Sequence, residues 1–353
     1  MTASFNELNQ VLRRATRAFE VFGPLDGAAA LRRRFRELVR VIHPDHNLAR
    51  VAEATAAFQA LQRWLRAAEQ ELACGSYGQP AGFVVERGSR RYVVDGEPVQ
   101  GELAELFPAS LDGARVLLKV ARHERDFDLM QAEATALRRL ARALDGQPVR
   151  AHFPTLIEQF QLTDGSGARR TTNVLLEEGG TLTLETVVHA QPGGLHPADA
   201  AWIFNRMLAA LAVAHDQGLV HGAVLLPHVL IRPADHNAVL IDWCYSVECG
   251  ATIRSASPAW RGEYPPEVLG RQPASPATDI FMAARCVVRL LGGGDDVANL
   301  PASVPPAMRR LLQACLLPAP ARRPNDAWQL FDDFNTILHA CYGPPVFRPF
   351  VLP

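Results

Sequence analysis

The first seventy residues alternate apolar and polar positions with a helical period. Three helices are predicted, at about Asn9–Phe22, Ala28–Ile42 and Leu48–Glu71. In the second and third, apolar residues recur every three or four positions and so share one face of the helix. These positions are Leu31, Phe35, Leu38 and Ile42, then Ala54, Phe58, Leu61 and Leu65. Two long helices with matching stripes are expected to pack antiparallel as a hairpin.

The pattern changes near residue 74. A stretch that contains Gly and Pro, residues 74–82, predicts a linker. Strand-like runs joined by D-G turns follow, which indicates an antiparallel sheet. They read FVVERG, RRYVVDG and RVLLKVAR. A helical segment, further strands after His152 and a mainly helical remainder complete the pattern. Because 353 residues are too many for one ordinary core, we expect two or three domains.

Composition narrows the class of protein. Apolar residues make up 48% of the chain, charged residues 21%, and the formal net charge is -1. No global field therefore favours nucleic acid or a membrane as partner. No apolar run reaches the roughly 18 residues that span a bilayer, and the first residues lack a signal peptide's apolar stretch, so we expect a cytoplasmic location. The six cysteines form no C-x-x-C pair, which argues against a zinc ribbon.

The basic residues are unusual. Of 36 in the chain, Lys119 is the single lysine and all the others are arginine. An Arg- and Ala-rich chain indicates a GC-rich bacterial genome, in which lysine tends to be replaced by arginine. The remaining lysine is either accidental or stands where arginine cannot substitute.

The second predicted helix also carries a basic stripe and ends at a distinctive tripeptide. Arg32, Arg36 and Arg40 follow one another at intervals of four residues, opposite the apolar face. Then comes His43-Pro44-Asp45. Proline ends the helix, because it lacks an N–H and holds the preceding residue in extended geometry. The tripeptide should therefore lie at the tip of the hairpin, beside the basic stripe.

These features together resemble the J domain of DnaJ-type co-chaperones. The likeness covers residues 1–73 and rests on AFEVFG, FRELVRVIHPDHN and EATAAFQALQRWL. It implies an all-α hairpin that docks on a DnaK-type heat-shock chaperone and stimulates its ATP hydrolysis. The tip His43-Pro44-Asp45 and the arginine stripe would make that contact, with the arginines steering towards an acidic partner. The Gly/Phe-rich segment and the cysteine-rich domain of full-length DnaJ have no counterpart in the sequence.

The second half resembles a protein kinase over residues 83–340, with lobes at about 83–178 and 179–340. LLKVA matches the strand with the phosphate-binding lysine, Lys119, and Glu133 matches its glutamate partner. VQGELAELFPAS, with Gly101, matches the phosphate-covering loop, and NVLLEEGGTLTL, with Glu177, matches the hinge. VLIDWCYS places Asp242 at the metal-binding aspartate. The implied fold is a bilobal α+β kinase-like fold, and the implied cofactor is ATP or ADP with magnesium.

Other landmarks of the family are structural. Glu267 in YPPEV and Arg323 in ARRPNDA match two residues that form a buried ion pair in kinases. Asp279 matches the aspartate that braces the catalytic loop.

Several catalytic positions depart from the family. His221-Gly222-Ala223 stands where kinases have His-Arg-Asp, and Ala223 cannot orient an attacking hydroxyl. His228 replaces the asparagine that helps to hold magnesium, a cation that prefers oxygen ligands. The phosphate-covering loop keeps Gly101 but lacks the other glycines. We therefore expect a pseudokinase that does not transfer phosphate.

Lys119 leaves two interpretations open. It stands on the one position where kinases need lysine, which favours a retained nucleotide or phosphate pocket that also uses Gly101, Glu133, Glu177 and Asp242. Alternatively, Lys119 and Glu133 form an internal ion pair that fixes a helix against the sheet. An exposed cleft pair contributes little to stability, which favours the nucleotide interpretation. Asp242 could hold a metal ion or cap a turn.

The predicted function is a targeting co-chaperone: the pseudokinase recruits an unknown client or complex, and the J domain delivers a DnaK-type chaperone to it. One alternative is a regulatory pseudokinase gated by nucleotide. Another is an atypical ATP-dependent transferase that uses Asp242 and His228 in new roles. The proline-rich last segment, residues 341–353, either packs on its own domain or docks on a partner.

Overall fold

The chain, in a computed structural model, forms two compact units, Met1–Phe83 and Val84–Pro353. The structure describes residues 4–15, 18–73, 77, 83–163 and 167–352. Apart from Tyr77, the predicted linker at 74–82 lies outside these residues. No helix in the described parts is long and apolar enough to cross a membrane.

The described part of the first unit is helical. Its helices are α1 (Phe5–Arg14), α2 (Ala18–Phe22), α3 (Ala28–Ile42) and α4 (Val51–Ala73). The predicted bounds of α3 are confirmed. The prediction of one helix over 9–22 is wrong, because Ala15 leaves helical geometry with a ψ of 134°. The third predicted helix starts later than expected, since Leu48–Arg50 forms a separate 3-10 turn.

The apolar stripes of α3 and α4 meet in the core of this unit. Leu31, Leu38 and Ile42 of α3 are buried with Leu61 of α4. Helix α3 packs against α4, and α1 and α2 pack against both of them. Burial of each large aliphatic side chain contributes about 1.5–3 kcal/mol relative to exposure, so the stripe explains why these segments fold as helices.

The second unit begins with an antiparallel sheet of seven strands within the described residues. The strands are β1 (Val84–Arg87), β2 (Arg90–Val94), β3 (Val99–Gln100), β4 (Ala104–Leu111), β5 (Ala114–Ala121), β6 (Leu156–Thr163) and β7 (Arg169–Leu176). Their order is β1-β2-β4-β5-β7-β6, and β3 pairs with β4. The register places Lys119 on β5 opposite Leu106 on β4 and Asn173 on β7. One helix, α5 (Phe127–Ala143), packs against β6 and β7.

The rest of the second unit is mainly helical, as predicted. Its helices are α6 (Leu184–Ala190), α7 (Pro197–Asp216), α8 (Pro266–Leu269), α9 (Pro276–Leu290), α10 (Pro306–Cys315) and α11 (Ala327–Tyr342). Short strands lie among them: β8 (Leu182–Thr183), β9 (Leu219–Val220), β10 (Val229–Arg232), β11 (Asn237–Leu240) and β12 (Val247–Glu248). Strand β10 lies between β8 and β11, and β12 pairs with β9.

A buried ion pair ties the helical part together. Arg323 donates to both carboxylate oxygens of Glu267, at 2.6 and 3.0 Å, and both residues are buried. Such a bidentate arginine–carboxylate pair fixes geometry as well as charge. This contact is the ion pair that the kinase resemblance implied.

Candidate functional site

Lys119 lies at the centre of a buried cluster. Its Nζ atom donates to Glu133 Oε1 at 2.9 Å, Asp242 Oδ1 at 2.5 Å and Cys244 Sγ at 3.2 Å. Lys119 is 7% exposed and Glu133 is 1% exposed. Strand β5, helix α5 and the segment after β11 each contribute to this cluster, so it forms only when the sheet and the helical part fold together.

Glu133 is held from its other side by amides that the sequence did not single out. Asn173 Nδ2 donates to Glu133 Oε2 at 2.8 Å and to the backbone oxygen of Met130 at 3.0 Å. Gln159 Nε2 in turn donates to Asn173 Oδ1 at 2.8 Å. Asn173 lies opposite Lys119 in the neighbouring strand. The sequence could have identified it only if the register between β5 and β7 had been known.

Asp242 uses both carboxylate oxygens within the chain. Oδ1 accepts from Lys119, and Oδ2 lies 3.1 Å from His228 Nε2. The other ring nitrogen of His228, Nδ1, lies 2.9 Å from the backbone oxygen of Ala223. Asp242 itself has left-handed backbone geometry, with φ of 65°, which brings its side chain between the two cations. His228 and Asp242 thus form a pair within the chain.

The charges of this cluster are mutually stabilised. Burial alone would lower the pKa of Lys119, but Asp242, Cys244 and Glu133 outweigh it and raise that pKa well above its ordinary value. Burial would raise the pKa of Asp242, yet Lys119 and His228 hold it well below its ordinary value. The pKa of His228 is raised because Asp242 outweighs the effect of burial.

The cluster also contains the atoms of a potential metal site. Ligand atoms of Glu133, Asp242 and Cys244 lie within 4.8 Å of one another. The ammonium of Lys119 already stands among them, and burial raises the pKa of the Cys244 thiol well above its usual value. Magnesium requires oxygen ligands and keeps several waters. A thiol, an ammonium and an aspartate with both oxygens paired do not fit that ion, so this geometry does not favour Asp242 as a metal ligand.

The loop with Ala223 is braced by a buried aspartate. Asp279 is wholly buried and accepts from the backbone N–H groups of His221 at 2.8 Å and Gly222 at 2.9 Å. His215 Nε2 lies 3.0 Å from the same carboxylate. Burial lowers the pKa of His221 to about 4, so its ring is neutral. The loop is therefore supported from within, while Ala223 presents only a buried methyl group.

Gly222 is required by its backbone. Its φ is +79°, and a Cβ there would lie 2.6 Å from the backbone oxygen of Tyr245. A side chain at position 222 would therefore be strained.

Local backbone packing also explains why residue 101 is a glycine. Its N–H donates to Ala104 O at 2.9 Å, closing the turn between β3 and β4. A Cβ on Gly101 would lie 2.6 Å from that oxygen. At the tip of this turn, Glu102 Oε2 accepts from Tyr245 Oη at 3.4 Å. The turn thus places the Glu102 carboxylate beside Tyr245, three residues after Asp242.

Glu177 lies apart from the Lys119 cluster. Its carboxylate accepts from Arg115 Nε at 3.0 Å, and its N–H bonds the backbone oxygen of Arg115. This places Glu177 at the end of strand β7, tied to β5. The structure therefore brings together Lys119, Glu133, Asp242 and His228, while Glu177 and Gly101 have separate contacts.

In the first unit, His43-Pro44-Asp45 follows α3 directly. The helix ends at His43, whose ψ of 135° is the extended geometry expected before proline. Asn47 Nδ2 donates to Val41 O and His43 O, both at 3.0 Å, and so satisfies carbonyls at the end of α3. The Asp45 side chain is 84% exposed and that of His43 is 34% exposed.

The arginine stripe of α3 faces solvent within this unit. Arg32, Arg36 and Arg40 are exposed, on the side of the helix opposite the buried Leu31 and Leu38. Their guanidinium groups are therefore available to an acidic surface.

Comparisons with known proteins bear on the second unit. No protein-family model matches the chain. Over 139 residues the chain is 28% identical to the serine/threonine-protein kinase PAK mbt of Drosophila melanogaster; this covers 38% of the chain and 20% of that kinase. The chain thus spans about a fifth of the length of that curated relative.

A solved structure extends the likeness to most of the chain. Vaccinia related kinase 3 superposes with a TM-score of 0.58 at 16% sequence identity, covering 80% of this chain and 98% of that one. At this identity the likeness concerns the fold. The chain therefore has a bilobal α+β protein-kinase-like fold with an antiparallel sheet.

Proposed function

We propose that this protein is a J-domain co-chaperone whose kinase-like unit is a binding module without phosphotransferase activity. The observation that carries the proposal is the exposed His43-Pro44-Asp45 tip at the end of a basic amphipathic helix. In this proposal the tip and the stripe of Arg32, Arg36 and Arg40 engage a DnaK-type chaperone. The kinase-like unit holds the client or complex to which the chaperone is delivered.

The local geometry of the tip supports this role. His43 packs edge-on against Phe58 of α4, with ring centroids 5.4 Å apart, and Nδ1 accepts from the N–H of Asp45 at 3.3 Å. The ring is thus fixed in place while Asp45 projects into solvent. A rigid tip with an exposed carboxylate suits recognition by a partner, because little side-chain freedom is lost on binding.

The absence of phosphotransfer is supported by two features of the kinase-like unit. Ala223 offers no carboxylate to orient a substrate hydroxyl. Asp242, the expected magnesium ligand, is already paired with Lys119 and His228. The charge of Asp242 is therefore balanced by side chains of the same chain. This suits a unit whose role is binding and not catalysis.

The decisive experiment measures single-turnover ATP hydrolysis by a DnaK-type chaperone. The wild-type chain should accelerate hydrolysis, and His43→Gln should abolish the acceleration. His46→Gln is the matched control, since His46 belongs to the same loop and its side chain is also exposed. Equal stimulation by wild type and His43→Gln, with both proteins folded, would refute the proposal.

A nucleotide-gated pseudokinase is the second candidate, and the 2.9 Å contact between Lys119 and Glu133 favours it. Nucleotide would have to draw Lys119 away from Asp242. A ligand that binds only the folded state stabilises it by about 2.7 kcal/mol at a hundredfold excess over Kd. ATP or ADP should then raise the melting temperature, and a flat response with and without metal would remove this candidate.

A further inference from the structure

The segment after α11 lies in an aromatic groove of the helical part. Phe347 stacks on His236 with centroids 4.3 Å apart, and His236 stacks on Trp202 at 4.3 Å with the rings nearly parallel. Phe350 meets the other side of Trp202 edge-on at 5.9 Å and is 8% exposed. The rings of Phe347 and Phe350 thus both contact the stacked pair formed by His236 and Trp202.

Between these aromatic residues lies a charged contact. Arg348 Nε is 3.3 Å from Asp199 Oδ1, at the beginning of α7. Pro349 follows and favours an extended backbone. The groove therefore matches an aromatic–basic–proline–aromatic pattern, with a carboxylate for the basic side chain and rings for both aromatic residues.

The bound segment leaves much of the groove's polar capacity unused. Eight buried side-chain polar atoms of the described residues have no hydrogen-bond partner, and two of them lie here without any other polar contact: Trp202 Nε1 and His236 Nε2. Trp202 Nε1 can only donate, so it needs an acceptor such as a peptide carbonyl. Buried polar groups are normally paired, so this concentration indicates a ligand with better-placed backbone groups.

The first part of the segment, Phe347 and Arg348, is largely exposed, whereas Phe350 and Leu352 pack on the core. Phe347 is 58% exposed, and the Arg348 side chain is 48% exposed. Among the described residues, no backbone hydrogen bond joins 344–352 to the rest of the chain. Side-chain contacts alone keep it in place, unlike the helices and strands around it.

We propose that this groove is a peptide-binding site for an extended aromatic–basic–proline–aromatic segment of a partner protein, and that residues 347–350 occupy it as an intramolecular competitor. Binding of the partner requires that this segment leave. The site is independent of the tip of the first unit and of the Lys119 cluster, so it does not depend on the proposed co-chaperone activity.

The test uses a fluorescent peptide with the sequence of residues 344–352 and the full chain. A tethered competitor acts at an effective concentration near millimolar. Phe347→Ala with Arg348→Ala, both at exposed positions, should release the segment and lower the Kd of the added peptide about tenfold relative to wild type. Fluorescence anisotropy measures the Kd, and a thermal melt verifies that the variant is folded.

Groove variants on the released background identify the site. Trp202→Ala should abolish peptide binding, whereas Asp199→Arg should weaken it and an Arg348→Asp peptide should restore it. A peptide with both phenylalanines replaced by alanine should not bind. If the released, folded variant binds no peptide, or binds a scrambled peptide equally well, the segment is a fixed part of the core and the proposal fails.

Discussion

Replacement of Lys119 by methionine tests the buried cluster most directly. The change keeps the length of the side chain and removes its charge. At 2.9 Å and an effective dielectric constant of about 20, a unit charge pair attracts by about 6 kcal/mol. Desolvation offsets part of this attraction, and the measured cost of breaking a buried pair is about 3–5 kcal/mol. We expect Lys119→Met to lower the melting temperature of the ligand-free chain by about 6–20 °C.

The loss should depend on pH with a defined sign. In the wild type, the depressed pKa of Asp242 adds stability above its unfolded pKa of about 3.9, and this stability is lost as pH falls through the folded value. Without the ammonium, burial raises the pKa of Asp242. The penalty of Lys119→Met should therefore be full at pH 8 and shrink towards pH 5, as a carboxylate takes up a proton.

A double variant supplies the control. Asp242→Asn removes one of the two carboxylates, so Lys119→Met with Asp242→Asn should be more stable than Lys119→Met alone. Differential scanning fluorimetry at pH 5 and pH 8 measures all of these variants. A fall of less than about 2 °C for Lys119→Met, with no pH dependence, would show that the cluster does not stabilise the fold and would return Lys119 to the nucleotide interpretation.

Three further predictions concern charge, chemistry and protonation. Arg32→Glu with Arg36→Glu should weaken docking on a DnaK-type chaperone, and wild-type affinity should fall with added salt; a salt-independent affinity measured by calorimetry would contradict the steering role of the stripe. With labelled ATP and magnesium or manganese, the chain should transfer no phosphate to itself or to generic substrates, and reproducible transfer that Lys119→Ala removes would revive the atypical transferase. Because the pKa of His228 is raised, its contribution to folding stability is full below about pH 6.5 and is lost as pH rises through the folded value. His228→Asn should abolish this part of the pH dependence of the unfolding free energy, measured by urea titration. An unchanged pH profile would count against the His228–Asp242 pair.

Local sequence was enough where one segment carries its own signals. The bounds of α3 follow from a repeating apolar stripe and from Pro44, which fixes the geometry of His43. The strand-like runs at β1, β2 and β5 follow in the same way, whereas β4 (Ala104–Leu111) was not predicted as a strand. The resemblance to kinases placed Lys119, Glu133 and Asp242 on three different elements, and those elements bring them together.

Burial was the main quantity that the sequence misjudged. The nucleotide interpretation of Lys119 treated its pair with Glu133 as an exposed cleft contact, but the pair is buried among Asp242, Cys244 and Asn173. Whether a cleft is open or filled depends on side chains from distant segments. No local pattern reports that arrangement.

The sequence by itself determined the helical stripe of α3, the tip at His43-Pro44-Asp45 and the absence of a carboxylate at Ala223. These are properties of residue type and local spacing, which short-range sterics and hydrogen bonding fix. Tertiary structure alone decided that α1 and α2 separate near Ala15, where no proline or glycine breaks the pattern, and that His228 pairs with Asp242. Both outcomes depend on contacts between segments that are separate in the sequence. The packing and electrostatic energies of these contacts arise only when folding brings the segments together.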